Sequence, residues 1–197
     1  LKEDKTWAVD KVVEILPKKV SGWDGEYING MITDILISLD DKYLYLNNWL
    51  HGDVRQYDIS DRAHPKLTGQ LFLGGKILKD SDVKVLEDKE LKEQPSPVYI
   101  KGRRILGGPQ MMQLSLDGKR LYISSSLFSP WDRQFYPETI ENGSTIVKID
   151  VDTENGGLKL DENFLVDFGK GPDGPLLAHE MRFVITTILW TLLLLAL

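Results

Sequence analysis

The chain contains no cysteine. That absence excludes disulfides, thiolate metal sites and cysteine catalysis within these residues. It leaves the compartment open and is compatible with the cytosol. An excess of positive charge is missing as well: 24 Lys and Arg stand against 30 Asp and Glu, a net charge of -6. Such a balance offers phosphates no cationic path, which argues against nucleic acid as a partner. Histidine is scarce, with only His51, His64 and His179. No Gly-rich phosphate loop leads into a helix, and neither His-Glu-x-x-His nor Gly-x-Ser-x-Gly occurs. Gly107-Gly108-Pro109 reads as a turn, and Ser124-Ser125-Ser126 as strand residues without a base.

What is present is a repeat. Ser-Leu-Asp-Asp-Lys-Tyr-Leu-Tyr at residues 38–45 recurs as Ser-Leu-Asp-Gly-Lys-Arg-Leu-Tyr at residues 115–122. Both copies read as a strand, a tight Asp turn and a second strand, with two more strand-like runs following. Asp supports such turns through local hydrogen bonds. Asp-Gly between apolar runs is a strong hairpin signal. The first unit predicts strands over 33–39, 43–49, 54–59 and 66–73. The second predicts them over 110–116, 120–127, 144–151 and 158–168, with an insertion at 128–143. Four antiparallel strands per repeat is the unit of a β-propeller. The fold class expected is therefore all-β: a propeller fragment with about two complete four-stranded blades and partial flanking ones.

The expected division is a partial propeller over residues 1–182 and an apolar tail over 183–197. Residues 74–109 form a long inter-blade insertion, which points to a functional segment or an excursion over one face. Within it, 83–91 reads as a short helical or irregular lid whose charges mark a solvated face. The cluster Lys101, Arg103 and Arg104 reads as loop solvation. Residues 6–16 read as a strand pair entered in mid-blade. Two blades do not close a ring, and Leu1 is not Met, so a fragment is expected. The tail holds only Thr as a polar residue. As a helix it would span roughly 23 Å against a hydrocarbon core of about 30 Å. A membrane tail anchor, a splice or gene-model artefact, and a strand docking on the propeller are the readings open for it.

His51 and His179 are the candidate metal ligands. Each falls in the region of a propeller where imidazoles from several blades can converge, and imidazole suits copper, zinc and iron. A satisfied structural histidine is the competing reading of each. Asp53 and Glu180 stand beside them as further ligands or as orienting partners, although Asp53 also reads as a turn cap. His64 reads as a surface residue.

Longer strings carry a resemblance. Residues 48–60, Asn-Trp-Leu-His-Gly-Asp-Val-Arg-Gln-Tyr-Asp-Ile-Ser, look like a signature of the selenium-binding protein family. So do Leu-Thr-Gly-Gln-Leu-Phe-Leu-Gly-Gly at 67–75, Gly-Gly-Pro-Gln-Met at 107–111, residues 114–122 and Phe-Leu-Val-Asp-Phe-Gly at 164–169. The likeness runs from about Trp7 to Arg182. It implies the C-terminal part of a seven-bladed propeller more than twice this length. It also implies methanethiol oxidase activity: methanethiol, O2 and water to formaldehyde, hydrogen sulfide and hydrogen peroxide. Copper is the metal implied, with His51 and His179 carried over as ligands. Selenium binding through a cysteine is implied too, although this chain has none. The implied setting is the cytoplasm, the nucleus and peripheral membrane contact in intra-Golgi transport. After Ala-His-Glu-Met-Arg at 178–182 the family string gives way to the tail. Three hypotheses follow: a copper-dependent thiol oxidase, a binding or trafficking propeller, and an inactive fragment missing its N-terminal half.

Overall fold

The repeated turn is a repeated set of hydrogen bonds. In the computed structural model, which describes residues 6–182, Ser38 Oγ donates to Asp40 at 2.6 Å and accepts from the Tyr43 N–H at 2.8 Å. Asp40 also accepts from the Lys42 N–H at 3.2 Å. The second copy repeats all three, with Ser115, Asp117, Lys119 and Arg120. Asp41 and Gly118 occupy the same left-handed position, at φ 58 and 70. The serine hydroxyl holds each Asp carboxyl below its ordinary value. The recurring Ser-Leu-Asp-x-Lys string is thus the covalent record of one hairpin built twice.

The strands run in chain order as β1 Lys18–Ser21, β2 Tyr27–Ile28, β3 Ile32–Ile37, β4 Tyr43–Asn48, β5 Asp53–Asp58 and β6 Lys66–Phe72. Next come β7 Lys84–Glu87, β8 Tyr99–Ile100, β9 Arg103–Arg104, β10 Met112–Leu114 and β11 Arg120–Ser124. Two short helices, α1 Ser129–Phe135 and α2 Pro137–Asn142, fill the insertion, each with Pro in its first turn, where a missing N–H costs nothing. The last strands are β12 Thr145–Val151 and β13 Leu158–Asp167.

Two four-stranded antiparallel sheets carry the fold, β3-β4-β5-β6 and β10-β11-β12-β13. β3 lies beside β10 at one edge and β6 beside β13 at the other. The sheets therefore stack in the same sense, as neighbouring blades of a propeller. Tyr43, Tyr45 and Val54 of the first blade pack on Leu121, Ile123, Val147 and Ile149 of the second. The all-β propeller-fragment expectation holds, and seven of the eight predicted blade strands differ only at their ends. The exception in extent is the strand expected over 110–116, of which three residues ladder as β10.

Two expectations are corrected. Residues 6–17 form no ladder. Val13 and Ile15 instead pack against Leu46, Tyr57 and Ile59, which explains their alternation without a partner strand. The segment 83–91 is not helical or irregular: it holds β7, which pairs with β1 in a sheet of order β2-β1-β7. The apolar tail at 183–197 lies outside the described residues. Among the described residues, no helix is long and apolar enough to cross a membrane.

Candidate functional site

His51 sits in the β4–β5 turn, and glycine explains how that turn reaches the centre of the structure. Gly52 has φ 84, and a Cβ there would lie 1.9 Å from the Gly74 carbonyl oxygen. A Cβ on Gly108 would lie 2.0 Å from the Trp49 carbonyl oxygen. The turn is therefore pressed backbone to backbone against both flanking segments. The Leu73 N–H donates to Gly52 O at 2.8 Å and the Gly75 N–H to Gly107 O at 2.9 Å. From above, Tyr136 donates its hydroxyl to Trp49 O at 2.7 Å and meets the Trp49 ring edge-on at 5.0 Å.

This packing leaves His51 fully buried. Its Nε2 lies 3.0 Å from the Ile28 carbonyl oxygen, which only accepts, so Nε2 carries the proton. Nδ1 then presents a bare lone pair, buried and without a hydrogen-bond partner. Burial pushes the imidazole below its ordinary pKa, aided by Lys18 and Arg55; Ile28 and Asp53 oppose the shift without reversing it. The ring is neutral at neutral pH.

That neutrality has a sign. An unfolded histidine titrates near about 6.5, so between the two pKa values the unfolded chain binds more protons. Stability then falls as pH drops from about 6.5. His51→Gln is expected to flatten that part of the stability-pH curve, measured by urea unfolding between about pH 5 and 7.5. An unchanged slope would refute the assignment.

Near His51 a chain of charges runs from buried Asp53 and Arg55 out to partly exposed Glu90. Asp53 accepts from Arg55 Nε at 2.7 Å, from Gln70 at 2.6 Å and from Asn48 at 2.9 Å. Its carboxylate accepts from these three side chains and from neither His51 nor a turn N–H, so it acts on His51 through charge rather than as a turn cap or a direct hydrogen-bond partner. Arg55 extends to Glu90 at 2.9 Å. Burial works against the guanidinium charge, but Asp53 and Glu90 outweigh it and hold its pKa above the ordinary value. Lys18, 1% exposed, meets Asp88 at 2.6 Å. Asp88 and Glu90 belong to the segment whose charges read as a solvated face; Asp88 is instead enclosed in a pair with Lys18 of β1, while Glu90, partly exposed, reaches Arg55 of the first blade. One signal for Lys18 was available in the sequence. Strand alternation puts it on the same face as Val20, and both are buried.

Arg103 and Arg104 are corrected likewise. Arg103 donates to the carbonyls of Asn142 at 2.6 Å and Gly143 at 3.0 Å, capping the C-terminus of α2. Arg104 pairs with Asp80 at 2.7 Å. His64 is exposed, as expected, and bonds Asp61 at 2.9 Å.

His179 has a different setting. It is exposed, and its carbonyl accepts from Ser124 Oγ at 2.5 Å. Asp132, buried in α1, accepts from Ser126 Oγ at 2.6 Å. Burial pushes the Asp132 carboxyl up; Ser126, the Leu127 N–H and the nearby His179 oppose it. Glu180 pairs with Arg182. The neighbours of His51 are Ile28, Asp53, Lys18 and Arg55, whereas those of His179 are Ser124 and Asp132.

The comparisons with known proteins agree with this architecture. The family model described as 56 kDa selenium binding protein (SBP56) matches residues 1–186. The chain belongs to the selenium-binding protein family. Human methanethiol oxidase is 64% identical over 181 residues, covering 92% of this chain and 38% of the relative. Selenium-binding protein 2 of Mus musculus is 62% identical with the same coverage. The crystal structure of a hypothetical selenium-binding protein from Sulfolobus tokodaii superposes with a TM-score of 0.63 at 37% identity, covering 85% of this chain and 34% of that one. This selenium-binding-family chain thus spans 38% of the length of the curated relatives it matches. Copper, the metal the resemblance implies, finds one sheltered donor here, the lone pair of His51 Nδ1. Among the described residues no group of three or more His, Asp or Glu is arranged to hold a metal. The described residues do not by themselves fit a complete copper site.

Proposed function

We propose that this chain supplies two blades of a methanethiol oxidase, which converts methanethiol, O2 and water to formaldehyde, hydrogen sulfide and hydrogen peroxide. The supporting observation is 64% identity to a protein named methanethiol oxidase across 92% of the chain. His51 and His179 are the proposed copper ligands, completed by groups outside the described residues. His51 suits the role through its neutral ring and unpartnered Nδ1. Selenium, where bound, attaches to a cysteine that this sequence lacks. The setting we infer is the cytoplasm, with nuclear and peripheral-membrane pools.

The test measures bound copper and methanethiol-dependent peroxide release for this chain and for a version extended to family length. The expected result is copper and turnover in the extended protein only, with His51→Ala reducing its copper content. Activity in the short chain alone would mean that its own histidines suffice. Neither property in the extended protein would overturn the oxidase reading and favour a propeller acting in protein interaction or intra-Golgi transport; selenium binding is what the mouse relative's name states.

A further inference from the structure

A cavity of about 420 Å³ opens between the β1–β2 turn, the 74–109 excursion, β9 and α2. Its size falls in the range of small-molecule sites, about 300–1,000 Å³. It is separate from His51, which does not line it. Its wall carries Lys76 and Arg104 against Asp24, Asp80, Asp82 and Glu138, with Trp23 beside them.

The pairing of these charges is incomplete. Arg104 is neutralised by Asp80 at 2.7 Å. Lys76 donates to the Phe135 carbonyl at 2.9 Å and lies 5.5 Å from the centre of the Tyr136 ring. It makes no ion pair among the described residues, and an ammonium has three donors. Asp24, Asp82 and Glu138 likewise have no ion-pair partner among the described residues. The wall therefore presents one unmatched cation and three unmatched carboxylates. A simple anion meets net repulsion, and a simple amine leaves Lys76 unmatched. A molecule with one carboxylate and two cationic groups meets Lys76 and two of the three carboxylates, and leaves one carboxylate to water. Trp23 adds an aromatic surface on which a guanidinium stacks well.

We propose that this cavity binds a basic α-amino acid, its carboxylate on Lys76 and its cationic groups among Asp24, Asp82, Glu138 and Trp23. The assignment is independent of the oxidase reading, because no residue of the proposed metal site contributes to it.

The test is calorimetric titration of the full chain at low salt with L-arginine, with agmatine, which lacks the carboxylate, and with acetate. L-Arginine is expected to bind saturably at about 1 mM or below, agmatine about ten-fold more weakly, and acetate not at all. Lys76→Met should abolish the preference for L-arginine over agmatine. Glu138→Gln, on an exposed position of α2, should weaken both while keeping the preference. Absence of saturable L-arginine binding, or equal binding of agmatine, would overturn the proposal. That comparison needs no variant, so misfolding of Lys76→Met leaves it decisive.

Discussion

Lys18→Met is expected to lower the unfolding free energy by about 3–5 kcal/mol, the range for breaking one side of a buried ion pair. The Lys18 and Asp88 side chains are 2% and 5% exposed, and their atoms meet at 2.6 Å. Removing the ammonium leaves a carboxylate enclosed by protein with no cation to offset its lost hydration. Burial alone would raise the Asp88 pKa; the Lys18 hydrogen bond and the N–H groups of Leu91 and Glu90 outweigh it and hold the carboxyl below its ordinary value. A carboxyl with a depressed pKa contributes stability that is present above the unfolded value, near about 3.9, and lost as pH falls through the folded one. The double variant Lys18→Met/Asp88→Asn should recover much of the loss, because it removes the stranded charge and keeps an acceptor for the two N–H groups. Urea unfolding of the three proteins at neutral pH is the measurement. A single variant within about 1 kcal/mol of wild type would show a pair open to water, of the sort that contributes little.

Gly108→Ala is expected to cost about 4 kcal/mol or more, or to prevent the chain from accumulating. The added methyl carbon would sit 2.0 Å from the Trp49 carbonyl oxygen and 3.0 Å from the Trp49 ring. Neither neighbour is a flexible side-chain end. Trp49 is fully buried, and its carbonyl is bonded to Tyr136. The backbone must shift, and the contact between α1, α2 and the His51 turn shifts with it. Gly102→Ala is the matched control. It has φ 77 but nothing within 4 Å of the new Cβ, so its cost is the left-handed backbone term alone, about 1–2 kcal/mol. Near-ultraviolet circular dichroism of the Trp49–Tyr136 pair reports the local change. Equal losses at the two glycines would defeat the steric explanation.

The blades were legible in the sequence because their information is local. Ser38, Asp40 and Lys42 write one turn within five residues, and Ser115, Asp117 and Lys119 write it again. Legibility stopped where partners are distant. Asp88 finds Lys18 across 70 positions and Glu90 finds Arg55 across 35; a run of charges looks the same in sequence whether water or a partner receives it. The alternation at Val13 and Ile15 recorded burial against Leu46 and Tyr57, not strand pairing. His51 could be picked out from its string. Its protonated Nε2 depends on the Ile28 carbonyl, which lies 23 residues away. His179 was named on the same grounds, and it is exposed while its neighbour Ala178 is buried.

The pairing of β1 with β7 also sets an order of events during synthesis. Lys18 leaves the ribosome long before Asp88, and Val20 long before its register partner Val85. At about 5–20 residues per second, the earlier segment waits several seconds for the later one. Meanwhile the four strands of the first blade, which follow one another directly, can complete their own ladder. β1 is thus made before the first blade and meets β7 after it. An interruption of translation between the two would leave a laddered first blade and a β1–β2 hairpin lacking its third strand.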